Sequence, residues 1–315
     1  MERLDVFMAR ANALYYATKN PFSDFTTAPE ISQVFGELLG LWAAETWRAM
    51  GSPVPVLLVE AGPGRGTLMA DAHRAVTAVA PAFARAAQTH LIENSALLRA
   101  AQAERVTAQW HDTLTTVPDG PIILLANEFL DALPVRQWRH ATNGWTERFV
   151  DIDGPHDLPA ELPPRDTTEW SDAAADFVRD TASRVRKFGG AALFVDYGGE
   201  GVEHSLQALR DGKPADPFAD PGEADLTAHV DLAGLAGVAR QAGAAVWGPI
   251  PQGLFLTRLG LQHRTGVLAR GRDVRGAASL LDGAARLSEP GGMGRLFKVL
   301  ALSHPSLPEP AGFSA

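Results

Sequence analysis

The chain of 315 residues carries a formal net charge of −9 and no cysteine. Its length suits one large α/β domain or two smaller ones; the acidity argues against nucleic acid or an anionic membrane as main partner, and the lack of cysteine excludes disulfides, a thiolate nucleophile and zinc knuckles. With no signal or transit pattern and no apolar run of about 18 residues, the expectation is a soluble, cytoplasmic protein without membrane insertion.

Residues 1–20 read as a helix, with Leu4, Phe7, Met8, Ala11 and Tyr15 at helical spacing. A polar turn, Asn20-Pro21-Phe22-Ser23-Asp24, ends it. A second helix opens in the stretch Thr26 to Gln33, with Ile31, Val34, Phe35, Leu38, Leu39 and Trp42 as its apolar stripe. Thr27 and Glu30 have capping-box spacing and Pro29 suits a first helical turn, so Glu30 is either a cap or a site residue.

Next comes Val56-Leu57-Leu58-Val59, a buried strand running into Glu60, then Gly62, Gly64 and Gly66 at alternate positions. A helix-compatible segment from Thr67 to Val79 follows, ended by Pro81. Strand, glycine turn and helix make the first half of a βαβ nucleotide site, where the missing side chains let a ligand approach the backbone. A P-loop would need a lysine followed by Ser or Thr after the last glycine, and a dinucleotide fingerprint would need glycine at Thr67. What remains, acid-x-Gly-x-Gly-x-Gly, is the form typical of class I methyltransferases that bind S-adenosylmethionine, a ligand without phosphate.

Thr89 to Asn94 reads as a second strand, ending at Glu93. This acid lies farther from the glycines than the roughly 20 residues expected of a ribose-binding carboxylate, the Pro81 interruption accounting for the excess. Glu93 either accepts from both ribose hydroxyls or is a solvated strand-end acid. A weak third strand is expected over Arg105 to Ala108; Trp110-His111-Asp112 after it either borders an adenine ring or contributes its tryptophan to the core. The fourth strand, Pro121 to Ala126, runs into Asn127-Glu128-Phe129-Leu130-Asp131, at the strand end where open α/β sheets place their chemistry. On a helical turn Glu128 and Asp131 would share one face, as a functional pair or as acids favoured by a helix N-terminus.

Val135 to Ile152 reads as a hairpin about Thr142-Asn143-Gly144, and Gly154 to Arg165 as a proline-rich connector. A helix from Glu169 to Lys187 ends at Gly189-Gly190 and leads to a fifth buried strand, Ala191 to Gly198, whose Asp196 faces the site or caps a turn. Residues 199–225 predict little regular structure. Asp225-Leu226-Thr227-Ala228-His229-Val230-Asp231 precedes a helix to Ala242, and Ala244 to Trp247 pairs with Leu296 to Leu302 across a helical region. No histidine spacing suits a metal and no Gly-x-Ser-x-Gly elbow is present.

Blocks along nearly the whole chain resemble the MidA-type methyltransferases. They include Asp24 to Gln33, Phe35-Gly36-Glu37, Gly62 to Met69, Ala126 to Phe129, Asp131 to Pro134, Phe194 to Gly198, Asp225 to Asp231, Gln252-Gly253 and Gly294 to Val299. The resemblance implies an α/β, Rossmann-like class I methyltransferase with a mixed, mostly parallel sheet, dependent on S-adenosylmethionine. It also implies methylation of an arginine on a protein substrate, such as a complex I-type subunit. A helical N-terminal segment over residues 1–53 would cover the site, with the core over 54–315 and an inserted, irregular substrate-side lobe at about 199–240. The chain departs from the family pattern in its short Pro21-Phe22-Ser23-Asp24 loop and in a late start before Tyr15-Tyr16.

Glu60, Gly62, Gly64, Gly66, Glu93, Asp112 and Asn127 are the expected cofactor contacts. A guanidinium is protonated at any physiological pH, and two carboxylates can grip it, localise its charge on the far nitrogens and aim a lone pair at the methyl; Glu128 and Asp131 are the candidates. The resemblance, more than their chemistry, places Thr27, Pro29, Glu30, Gln33, His229 and Asp231 at the substrate wall. A dinucleotide-dependent oxidoreductase and a non-catalytic assembly factor are alternatives on the same architecture.

Overall fold

The computed structural model describes residues 1–19, 26–161, 163, 167–199 and 203–314. The turn expected at Asn20 to Asp24 lies outside them. β1 (Glu2–Arg3) leads into α1 (Leu4–Thr18), whose buried residues include the expected Leu4, Phe7, Met8, Ala11 and Tyr15. The second helix divides into α2 (Ala28–Ile31) and α3 (Gln33–Ala49). Ser32 leaves helical geometry between them, and its hydroxyl caps α3 by accepting from Val34 N at 3.3 Å. No capping box forms: Thr27 makes no side-chain cap bond, and Glu30 accepts instead from the Thr67 hydroxyl at 2.6 Å.

β2 (Val56–Ala61), α4 (Thr67–Val79), α5 (Pro81–Ala86), β3 (Ala87–Ile92), α6 (Ala96–Ala103), β4 (Gln109–His111) and β5 (Ile122–Asn127) follow. β4 begins beyond the expected Arg105 to Ala108 because Arg105 N and Val106 N both donate back to Gln102 O at 2.9 Å, closing α6 before the chain can extend. β6 (Arg136–Ala141) and β7 (Gly144–Asp151) form the expected hairpin. The expected connector after it is a third strand, β8 (Gly154–Ala160), antiparallel to β7; Gly154, at φ +109°, reverses the chain into it. β9 (Glu169–Trp170) pairs with β6 and takes the first residues assigned to a helix. α7 (Asp172–Phe188) therefore starts at a Ser171 cap.

β10 (Gly190–Tyr197) is the fifth parallel strand. The stretch expected to be irregular holds a small antiparallel sheet, β11 (Gln207–Arg210), β12 (Lys213–Ala215) and β13 (Asp225–Thr227), its strands too short for periodicity to emerge from the Pro, Gly and Asp around them. The remaining elements are α8 (Leu232–Gln241), β14 (Ala245–Pro251), α9 (Gln252–Arg258), α10 (Leu261–Ala269), α11 (Val274–Ser288), α12 (Met293–Leu296) and β15 (Phe297–Ser303).

The main sheet has the order β14-β15-β10-β5-β2-β3-β4. β15 runs antiparallel to both its neighbours, so it alone is reversed among parallel strands. Successive side chains bury on opposite faces. Leu58, Ile123, Leu193 and Val299 meet α3 and α4 through Leu38, Trp42, Leu68 and Met69. Leu57, Leu124, Phe194 and Leu300 meet α7 and α8 through Val178 and Leu235. A third core joins Leu4, Phe7 and Met8 of α1 to Val150, Ala208 and Leu226, so the first helix and both small sheets make one lobe. The expected N-terminal segment thus divides by role: α1 belongs to the lobe, whereas α3 is packed into the main core. The expected insertion divides too, since α8 lies on the main sheet and β6 to β8 add to the lobe.

Candidate functional site

β2 lies between β3, which follows it through α4, and β5, which the chain reaches only after leaving β4. That reversal opens a crevice at the carboxyl ends of β2, β3 and β5, the place where open α/β sheets bind ligands. A cavity of about 560 Å³ occupies it, of the size that holds a cofactor or drug-sized ligand. The glycine turn, Glu93 and Asn127-Glu128 form its floor, and α1 and α2 its roof through Asn12, Tyr16, Thr27, Pro29 and Glu30.

The glycine turn is built for close approach. Gly62, Gly64 and Gly66 have φ of +63°, +53° and +79°, a region side chains seldom adopt. A Cβ on Gly62 would stand 2.8 Å from Cδ2 of Phe129, which lies across the turn. Gly62→Val is therefore expected to cost about 2 kcal/mol or more from strain and overpacking and to close the cavity. A thermal melt with a cofactor titration checks both; unchanged binding would place the ligand elsewhere.

Five acids line the cavity, Glu30, Glu60, Glu93, Asp112 and Glu128, and burial raises three of them in contrasting environments. Glu60 is 2% exposed, its Oε2 has no partner among the described residues, and burial alone pushes its carboxyl up to about 8. Glu93 is also pushed up by burial, against bonds from Ser95 N at 2.8 Å and Gln102 Nε2 at 3.3 Å. Glu128 is pushed up to about 7 by burial, although its Oε1 accepts from Ala28 N at 2.9 Å and Asn127 Nδ2 at 3.1 Å. Asn127 Oδ1 is buried and has no partner among the described residues. Buried polar atoms of this kind call for a ligand or ordered water.

The expected Glu128–Asp131 pair is corrected. Residues 128–131 are not helical, and Glu128 sits at φ +51°, so three-residue spacing does not align the side chains. Glu128 lines the cavity, whereas Asp131 is buried behind it. Burial and the neighbouring Asp196, Glu128 and Asp225 hold the Asp131 carboxyl well above the usual range. Asp196 caps this turn, its Oδ2 accepting from the backbone N–H of Phe129, Leu130 and Asp131 at 3.2, 2.9 and 3.3 Å.

Of the other expected residues, Asp112 reaches the cavity and pairs with Arg99 at 2.6 Å. Trp110 does not line it; its indole donates to Gln102 Oε1 at 2.8 Å. Three substrate-wall expectations are also corrected. Gln33 donates to Glu37 at 3.0 Å along α3, outside the cavity. His229 packs edge-on against Tyr197, and Asp231 caps α8 by accepting from Gly234 N at 2.8 Å. Sequence reasoning missed Asn12, which ties α1 to Ala132 O at 3.0 Å and Leu226 O at 2.8 Å, and Gln102. Their one signal was a polar amide on an otherwise apolar helix face.

Fold and crevice define a class I, Rossmann-like methyltransferase. Residues 38–160 and 155–250 match the family described as "Putative S-adenosyl-L-methionine-dependent methyltransferase". The chain is 35% identical to human "Protein arginine methyltransferase NDUFAF7, mitochondrial" over 89% of its own length and 73% of that protein. It is 34% identical to the Drosophila melanogaster homologue of that name, over 94% and 79%. A crystal structure from Burkholderia thailandensis bound to S-adenosyl-homocysteine superposes with a TM-score of 0.83 at 26% identity, covering 98% of this chain and 89% of that one. The chain belongs to this family of S-adenosyl-L-methionine-dependent methyltransferases, and S-adenosyl-L-methionine is its cofactor. The expected cytoplasmic location is overturned: the curated relatives are named as mitochondrial proteins.

Proposed function

We propose that the chain methylates an arginine of a protein, with a complex I-type subunit as the substrate the family resemblance suggests. The names of the relatives support the arginine, and the observation that carries the reading is the half-buried Glu128 carboxyl at the cavity wall, raised to about 7. The residues present fit the cofactor. Gly62, Gly64 and Gly66 form the cradle, and the unpartnered Glu60 oxygen suits its amino-acid ammonium. Glu93 suits the ribose hydroxyls, and Ile92, Leu98 and Leu114, with Asp112 and Asn127, suit the base. Bound there, the cofactor supplies an electrophilic sulfonium methyl.

The chain's own contribution is to hold the guanidinium. Glu128, with Glu30 as its partner acid, localises its charge on two nitrogens and leaves the third free to attack. Thr27 and Pro29 line the cavity beside Glu30. Labelled-methyl transfer into extract, with the modified residue found by mass spectrometry, tests the proposal; label on a residue other than arginine would refute it.

A pH dependence follows. Glu128 binds a cation only when ionised, so with its carboxyl at about 7 in the free protein, kcat/KM for a peptide substrate should rise with pH and level off above about 7. Below that point it should fall about tenfold per unit. A flat profile between pH 5.5 and 7.5 would remove Glu128 from the binding step.

A further inference from the structure

Gln102 lies on α6, fully buried and outside the cavity wall. Each polar atom of its amide is used. Nε2 donates to Gly64 O at 2.7 Å and to Glu93 Oε2 at 3.3 Å, while Oε1 accepts from Trp110 Nε1 at 2.8 Å. An indole N–H can only donate, so Trp110 fixes which end of the amide is oxygen and turns both N–H groups toward the cofactor side. One side chain thereby spans the glycine turn after β2, the acid after β3 and the tryptophan of β4. A Cβ on Gly66 would stand 3.5 Å from Cα and Cγ of Gln102, so this residue flanks the turn closely.

We infer that Gln102 is a positioning residue: it sets the spacing between the glycine turn and Glu93, with Trp110 orienting its amide. The inference rests on the assignment of Glu93 to the cofactor ribose. Fixing that spacing before the ligand arrives lowers the ordering cost of binding. Neither residue lines the cavity, so the effect is read through Glu93 and Gly64.

The test is calorimetric titration with S-adenosylhomocysteine of the parent, Glu93→Gln, Gln102→Leu, the double variant and Trp110→Phe, each with a thermal melt. Gln102→Leu is expected to weaken binding by about tenfold or more, as loss of a buried hydrogen-bonded amide does. Trp110→Phe keeps the ring, removes the N–H, leaves Gln102 Oε1 without its donor and should weaken binding a few-fold besides lowering the melting temperature, whereas a merely structural tryptophan would lower the melting temperature and leave the affinity of the folded protein unchanged. In the Glu93→Gln background, Gln102→Leu should cost distinctly less than in the parent. Trp110→Phe binding like the parent, or strictly additive losses, would overturn the positioning role. If Glu93→Gln itself binds like the parent, the ribose assignment fails and the inference falls with it. Glu93→Gln weakened beside an unaffected Gln102→Leu refutes the positioning role alone.

Discussion

Glu128→Gln should lower kcat/KM for methyl transfer by roughly 10²–10³-fold, the usual cost of removing one preorganised electrostatic partner, with cofactor affinity within a few-fold of the parent. The substituted amide oxygen can still accept from Ala28 N and Asn127 Nδ2, so the wall keeps its shape and loses only the ability to carry a negative charge. Peptide methylation at saturating cofactor, beside a calorimetric cofactor titration, separates the two effects. Turnover within tenfold of the parent would end the carboxylate assignment. Glu128→Gly is the control for backbone strain: a non-glycine residue at φ +51° is held there against a cost of order 1 kcal/mol. The glycine variant should lose activity equally while losing little stability. Strain kept where a carboxylate must face a cavity is what a site, more than a scaffold, requires.

The glycine turn was legible in the sequence because its chemistry is contiguous. Apolar strand, acid, alternate glycines and helix occupy Val56 to Val79, and β2 and α4 fall where the pattern puts them. β5 and β10 were legible for the same reason, as apolar runs buried on both faces. What was hidden depends on distant partners. Glu128 and Asp131 looked like neighbours on a helix, but Asp196, on β10, gathers three backbone N–H groups and folds residues 128–131 into a turn. Glu30 could be read as a cap or as a site residue, and only its bond from the Thr67 hydroxyl excludes the capping box. His229 and Asp231 sit in a family block, yet the structure uses them for ring packing and for capping α8. The lobe was hidden except for α1 and the β6–β7 hairpin. Strands β11, β12 and β13 are three or four residues long, and the core is shared among α1, β7, β11 and β13, so no single stretch shows that these parts pack together.

The opposite-sign pair of effects expected at Glu60 tests the cradle most directly. Burial raises this carboxyl from the usual 4.5 to about 8, so the empty folded protein holds a proton that the unfolded chain releases. The native state binds more protons at Glu60, and its stability from this group is complete below pH 4.5 and lost as pH rises through about 8. The cost approaches roughly 4 kcal/mol at the upper end. Glu60→Gln cannot ionise and escapes that cost, so the empty variant should melt several degrees higher than the parent at pH 8 and hardly differ near pH 5. Cofactor binding should move the other way. A carboxylate that meets an ammonium in a buried site must ionise, so the parent should release close to one proton on binding at pH 7, and the variant none. Loss of that pair should weaken binding on the order of 10²-fold. Calorimetry in two buffers of different ionisation enthalpy measures the proton count, and melts at both pH values measure the stability. A variant that melts higher yet still binds with proton release would assign the cofactor's ammonium to another group.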